Sequence, residues 1–334
     1  MIDVHRLESW YIKHKRKLSF RDTKNPYFIW VSEIMLQQTQ VDTVIPYFER
    51  WIKTYPAIKD VAKATLEDIL KLVEGIGYYR RFRLLHQACQ KIVNDFNSEF
   101  PTRYKDVISL PGVGMYTAGA IMSIAYNKPY SAVDGNVIRV LSRSLGIDLD
   151  MRLDKHKKML DTINQGIIEQ ATPEIYTQAL MELGAIICTP TKPLCDMCPL
   201  NKDCVAFLSQ NIEKYPFMSK LKEKKMFYYI TLVIEHQNGI VLRKRTESLL
   251  KDMYEYPQFQ YENLNSLLSD LEDEGIILEP LSEPKLFKHV FTHQIWHMEV
   301  YHLRLIKGLK SDWELIEKKQ IKHKPMAIAH RKIR

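Results

Sequence analysis

Leu110-Pro111-Gly112-Val113-Gly114-Met115-Tyr116-Thr117-Ala118-Gly119 lies between two helical patterns. Pro111 closes the first, because its ring cannot continue a helical hydrogen-bond ladder. Gly112 and Gly114 permit a tight turn and the close approach of another backbone. The next helix opens near Met115 with its first N–H groups unpaired, which suits an anion. A DNA phosphate fits such a place without any base being read. A plain helix–helix turn fits Gly-x-Gly equally; Leu-Pro before it and Tyr-Thr-Ala-Gly after it make the full pattern far more specific.

Outward from this hairpin, roughly the first 210 residues read as helices. Apolar residues recur at helical spacing in 28–36, 61–73, 84–96, 115–126, 136–145 and 175–187. Pro46, Pro56, Pro101, Pro111, Pro129 and Pro173 punctuate them. The basic stretch 214–225 reads as a linker. Beyond it the texture changes to strands: FYYITLVIEH, a turn at Gln237-Asn238-Gly239, then IVLRKR. Asn-Gly between apolar runs is a hairpin signal. A short helix over 264–274 and strands over 285–292 and 295–305 complete an expected α+β domain. With 334 residues, two or three domains are expected.

Four cysteines fall within seventeen residues: Cys188, Cys195, Cys198 and Cys204, spaced C-x6-C-x2-C-x5-C. Thiolates this close converge on one metal centre. Only Cys195 and Cys198 form the close pair usual for zinc, and the wider gaps favour an iron–sulfur cluster. A structural zinc remains the alternative. Cys89, in LLHQACQKIV, reads as a core residue.

Two carboxylates stand in unusual places. Glu33 sits in Phe28-Ile29-Trp30-Val31-Ser32-Glu33-Ile34-Met35-Leu36, a helix apolar nearly all round. Buried there, it loses hydration, its pKa rises, and it becomes a candidate general acid. A core Glu satisfied by a local donor is an equal reading. Asp134, in Val133-Asp134-Gly135-Asn136, precedes an apolar helix, where Asp is also an ordinary cap. Gln37, Gln38, Thr39 and Gln40 end the Glu33 helix and suit base edges or the gap left by an extruded base, or simply a solvated terminus. Tyr78 and Tyr79, after Gly75-Ile76-Gly77, suit insertion into a base stack or core packing.

The formal net charge of +8 and a sequence pI of about 9.0 favour a polyanionic partner. Hydrophobic residues make up 46% and charged residues 26%, as in soluble globular proteins. No apolar stretch is long enough to span a bilayer. The N-terminal run lacks a signal-peptide core, and an odd cysteine count argues against a disulfide framework. A cytoplasmic, nucleoid-associated setting is expected.

Together these motifs resemble the helix-hairpin-helix DNA glycosylase superfamily, and within it the MutY-type branch specific for adenine. The resemblance rests on V-S-E-I-M-L-Q-Q-T-Q-V (31–41), G-I-G-Y-Y-R-R (75–81), the hairpin, V-D-G-N-V-I-R-V-L (133–141), the Met181–Cys188 helix and the cysteine spacing. It implies a mainly α glycosylase region over 1–213, with a six-helix module at about 21–128 and an iron–sulfur module at about 1–20 and 129–213. A Nudix-like domain over 226–334 follows. The implied activity is hydrolytic removal of adenine mispaired with 8-oxoguanine or guanine. Glu33 would protonate adenine N7, Asp134 would stabilise the oxocarbenium-like sugar, and Tyr116 and Asn136 would orient them. Arg21 and Gln178 would line the adenine pocket. Leu36, Gln38, Thr39, Ile76 and Tyr78 would surround the orphan 8-oxoguanine. Leu110, Gly112, Val113 and Gly114 would hold the DNA backbone. The cluster on Cys188, Cys195, Cys198 and Cys204 would be one [4Fe–4S], mainly structural.

Tyr116 stands where the similar endonuclease III branch has a Schiff-base lysine, so a monofunctional enzyme is implied. The Nudix-like domain lacks the Glu-rich metal helix, so recognition rather than hydrolysis is implied. Phe291-Thr292-His293 resembles the branch's F-S-H loop, with Thr292 for Ser and His293 beside it; Phe20 replaces a common tryptophan. The expected partner is double-stranded DNA with adenine opposite 8-oxoguanine, bound by a monomer away from membranes. The rivals are an endonuclease III-like glycosylase–lyase acting on oxidised pyrimidines and a silent lesion sensor.

Overall fold

A computed structural model describes residues 2–220 and 223–333. Leu221 and Lys222 of the expected linker, with Met1 and Arg334, lie outside the described residues. The helices are α1 (Val4–His14), α2 (Pro26–Leu36), α3 (Val41–Thr54), α4 (Ile58–Lys63), α5 (Leu66–Leu72), α6 (Arg80–Asp95), α7 (Tyr104–Val107), α8 (Met115–Ile124), α9 (Gly135–Leu145), α10 (Asp154–Ile168), α11 (Pro173–Ile186), α12 (Val205–Leu208), α13 (Leu264–Asp273) and α14 (Ile328–Arg331). The strands are β1 (Lys225–His236), β2 (Gly239–Lys244), β3 (Tyr254–Glu255), β4 (Gln258–Phe259), β5 (Ile277–Pro280), β6 (Lys285–Val290), β7 (Gln294–Lys307) and β8 (Trp313–Ile316). No helix among the described residues is long and apolar enough to cross a membrane.

Packing divides the chain into two compact units: Met1–Lys63 with Leu84–Lys220, and Ala64–Arg83 with Leu221–Arg334. The sequence pattern places 64–83 in the helical region, whereas this stretch packs with the C-terminal sheet. The expected helix over 61–73 is in fact α4 and α5, separated where Thr65 caps α5 by accepting from the Asp68 amide at 3.1 Å. Pro46 does not end a helix but lies inside α3.

In the first unit, Asn25 caps α2 and Pro26 takes its first position, where a missing N–H costs nothing. Every α2 residue from Ile29 to Met35 is then buried. Helix α8 is capped at Gly114 and buried from Thr117 onward. A Cβ at Gly119 would lie 1.8 Å from the Ser131 carbonyl oxygen, so glycine is required where the segment leading to Asp134 crosses α8. Helix α9 starts at the Asp134 cap and ends on left-handed Gly146. Leu7, Ile29, Ala120, Val137, Leu141, Leu160, Tyr176 and Leu183 meet in one core, fixing α2, α8, α9 and α11 around a common centre.

The second unit is a mixed sheet in the order β3-β2-β1-β7-β5, with β4 on β1, β6 on β7 and β8 on β2. The expected hairpin is short: β1 and β2 pair only at Glu235–Ile240 and His236–Gly239. The main partner of β1 is β7, parallel from Lys225–Gln294 to Glu235–Arg304. Gly239 serves a close approach rather than a left-handed turn, since its Cβ would lie 2.2 Å from the Ile316 carbonyl oxygen. Alternation along β1 sends Ile230, Leu232 and Ile234 to the α13 side, with Leu267 and Leu271. Val233, Trp296, Met298 and Val300 face the other side, against Ile321, Met326 and Ala329.

Candidate active site

A cleft of about 870 Å³ opens in the first unit, lined by residues from α2, α8, α9 and α11 and from the loops preceding them. Glu33, Asp134, Tyr116, Asn136 and Arg21 all line it. Residues about a hundred positions apart in sequence thus share one site.

Glu33 is 1% exposed, as its apolar helix requires. The Tyr116 hydroxyl donates a short hydrogen bond to Glu33 Oε2. Arg21 Nη1 lies 3.0 Å from Glu33 Oε1 as an ion pair. That contact lacks hydrogen-bond alignment, so Oε1 has no directional donor of its own. Burial, then the charges of Glu33 and Asp134, holds the Tyr116 phenol well above its ordinary pKa, so it stays a proton donor.

Asp134 caps α9: Oδ1 accepts from the Val137 amide at 2.7 Å and Oδ2 from Asn136 Nδ2 at 3.0 Å. Burial raises its pKa, opposed by those two bonds, and nearby Glu33 adds to the rise. The residue is half-buried by solvent contact, because it sits on the open floor of the cleft. Its cap fixes the carboxylate and leaves it facing the space beside Glu33.

Other expected residues divide by unit. Leu36, Gln38, Thr39, Gly112 and Gly114 line the cleft. Gln38 and Gly112 both take left-handed φ, 55° and 77°. Leu110 and Val113 are instead buried anchors of the hairpin. Gln178 is absent from the cleft wall: it is 7% exposed, and its Nε2 donates to the Glu174 carbonyl at 3.0 Å. Ile76, Tyr78, Thr292 and His293 belong to the second unit. There the Tyr78 and Thr292 hydroxyls are 2.6 Å apart. Tyr78 is exposed with φ 50°, while Tyr79 is buried and its hydroxyl accepts from the Gly75 amide.

Three contributors escaped the sequence reading. Arg16 binds Glu182 through Nε and Nη2 at 2.7 and 2.8 Å and through its own amide at 3.0 Å, and both residues line the cleft. Glu182, in ALMELGAI, carried the same signal as Glu33: a carboxylate in an apolar helix. Arg139 gave no signal, yet its Nη2 donates to Asn136 Oδ1 at 2.9 Å and to the Gly184 carbonyl at 2.6 Å, while Nε donates to the Cys188 carbonyl at 2.6 Å.

Residues 31–169 match the HhH-GPD superfamily of base excision DNA repair proteins, and residues 229–334 match the NUDIX domain. An adenine DNA glycosylase of Buchnera aphidicola (Acyrthosiphon pisum) is 36% identical over 301 residues, spanning 89% of this chain and 85% of the relative. The chain belongs to the adenine DNA glycosylase family. The mouse adenine DNA glycosylase is 33% identical over 364 residues, covering 90% of this chain and 70% of its own. Among solved structures, a thermostable thymine-DNA glycosylase superposes with a TM-score of 0.57 at 28% identity, covering 62% of this chain and 95% of that one. An endonuclease III–DNA complex shares the fold, with a TM-score of 0.53 at 23% identity, covering 63% and 99%.

The donor set fits the iron–sulfur cluster expected from the cysteine spacing: soft thiol ligands gathered on one wall of the fold. Cys188, Cys195, Cys198 and Cys204 line a single cavity, walled by Val140, Leu183 and Phe207. Burial pushes the Cys198 thiol up to about 12 and raises Cys195, so a cationic centre is needed to hold them as thiolates. Arg143 borders the cavity, donating to the Thr189 and Pro190 carbonyls at 2.7 and 3.0 Å and approaching Cys188 Sγ at 3.5 Å. Among the described residues no three His, Cys, Asp or Glu side chains are gathered tightly enough for a single metal ion. In this adenine DNA glycosylase, α9 therefore carries the Asp134 cap at one end and arginines holding the cysteine loop along its length.

Proposed function

We propose that the chain removes adenine opposite 8-oxoguanine by hydrolysing the N-glycosidic bond, without lyase chemistry. The observation that carries this reading is the convergence of Glu33, Tyr116 and Asp134 on one cleft floor. Extruded adenine enters the cleft, at a cost lowered by its mispair. Glu33, once it has taken up a proton from solvent, gives it to purine N7, making the base a better leaving group. Tyr116 and Arg21 fix that carboxyl's position. Asp134, held by Val137 and Asn136, faces the positive charge that develops on the sugar. Water then adds to the sugar C1′ as its bond to the base breaks, and the proton it sheds returns to the Glu33 carboxylate. Tyr116 has no amine to form a Schiff base, which supports a monofunctional enzyme.

The four cysteines would hold one [4Fe–4S] cluster, whose contribution is to fold the 188–204 loop. Gln38, Thr39 and Leu36 on the first unit, and Ile76, Tyr78 and Thr292 on the second, are the proposed readers of the orphan base. Gly112 and Gly114 present the hairpin to the DNA backbone. The protein acts as a monomer in the nucleoid-containing cytoplasm.

A cleavage assay on duplexes pairing adenine with 8-oxoguanine, guanine or thymine, with and without alkali, tests the reading. Release should be fastest opposite 8-oxoguanine, and strand breaks should appear only after alkali. In the same assay Glu33→Gln should slow single-turnover release by ~10²-fold or more while DNA binding survives. Strand scission without alkali, or near-parental release by Glu33→Gln, would overturn it.

A further inference from the structure

The loop bearing Ile76 and Tyr78 is tied locally by the Gly75 amide to the Tyr79 hydroxyl at 2.9 Å, the Ile76 amide to the Val73 carbonyl at 3.2 Å and Arg81 Nη2 to the Gly77 carbonyl at 3.3 Å. Gly75 and Gly77 take φ of 98° and 79°, and a Cβ at Gly77 would touch nothing within 4 Å. Two left-handed glycines give the backbone here a conformation that residues with side chains rarely adopt, so its course depends on the residues that flank them. Glu74 immediately precedes them. Its Oε1 accepts from the Met326 amide at 2.8 Å, and its Oε2 lies 2.5 Å from Arg331 Nη2 and 2.7 Å from Lys71 Nζ. The Glu74 side chain is only 11% exposed. A carboxylate with three donors in a mostly dry place is a strong, directional tie.

The other end of this tie reaches the second lesion loop. His330 is fully buried, with Nε2 3.1 Å from Glu255 Oε2. Its ring lies 6.1 Å from that of Trp296, and Trp296 carries the Phe291 ring at 4.7 Å, the residue before Thr292. Neighbouring residues of α14 therefore serve two loops: Arg331 holds the one ending in Tyr78, His330 supports the one bearing Thr292. The two loops meet at the Tyr78–Thr292 hydroxyl contact.

We infer that Glu74 is a positioning residue for lesion discrimination, acting through α14 to hold Tyr78 in register with Thr292. The inference rests on the proposed reading of 8-oxoguanine by these loops. Glu74 touches neither base nor sugar in this scheme; its effect is confined to how well the two loops are pre-aligned.

The test is single-turnover adenine release by the full chain from duplexes with 8-oxoguanine or guanine opposite adenine. Parent, Thr292→Ala, Glu74→Ala, Arg331→Met and the conservative Arg331→Lys are compared, with thermal melts of each. Glu74→Ala and Arg331→Met should lower the preference for 8-oxoguanine by about 3- to 10-fold while release opposite guanine stays within about twofold of the parent. Arg331→Lys, which keeps a cation for Glu74, should retain most of the preference, which loss of a merely structural side chain would not explain. If Glu74→Ala fails to melt cooperatively, Arg331→Met carries the test. Thr292→Ala losing the preference while both tie variants keep it overturns the positioning role alone. Equal loss on both substrates in the tie variants also overturns it. A parent without preference, or Thr292→Ala retaining it, overturns the lesion-reading scheme and this inference with it.

Discussion

Asp134 illustrates how a single residue carries two opposed demands. Its cap bonds to Val137 and Asn136 favour the carboxylate, yet burial outweighs them and raises its pKa. A carboxyl that holds its proton more tightly in the folded than in the unfolded chain stabilises the fold below the unfolded value. That contribution is lost as pH rises through the folded value. Wherever the folded chain holds Asp134 ionised, that charge therefore works against stability. Asp134→Asn keeps a good cap and removes the charge. Its melting temperature at pH 7 should be about 1–4 °C above the parent's, the gain shrinking in acid, while adenine release falls by ~10²-fold or more. A lower melting temperature at pH 7 would mean the carboxylate is a net stabiliser. At this scale the sequence was legible where chemistry clashed with context: Glu33 in an apolar helix and Asp134 before one. Arg139 was not legible, because an arginine on a helix looks solvated until α11 is packed beside it.

Helices α9 and α11 show what decides geometry at the next scale. They cross so closely that a Cβ on Gly184 would lie 2.5 Å from Asn136 Cβ. Gly184→Ala should push Asn136 away from Asp134, costing about 1–3 kcal/mol of stability and slowing adenine release. A melt and a release rate both matching the parent would show that Asn136 can move freely. The starts of α8 and α9 were readable because Gly114 and Asp134 cap them, whereas α2 begins at Pro26, two residues before the apolar run that marks it in sequence. Helix α3 was hidden by Pro46, which it absorbs internally, and α10 by its charged surface. In the sheet, Asn-Gly pointed to a hairpin, but β1 found most of its bonds on β7, some seventy residues onward. Parallel pairing of that kind leaves no local signature.

The whole molecule carries a net charge of +8, and a protein that tracks a phosphate backbone releases counterions on binding. Affinity for duplex DNA should fall by about a hundredfold or more between roughly 50 and 200 mM salt; a flat titration would remove the electrostatic part of the scheme. The sequence by itself determined the two architectures, the hairpin, the four thiols and the paired carboxylates. Each is fixed by local rules: periodicity, capping, the φ that glycine permits, and ligand chemistry. Only the tertiary structure decided that Arg21 pairs with Glu33, that Gln178 spends its amide on the Glu174 carbonyl, and that residues 64–83 join the sheet unit through Glu67, Lys71 and Glu74. Those outcomes depend on partners far along the chain. A charge or amide takes its role from whatever donor packing brings within about 3 Å, and spacing in sequence does not record that distance.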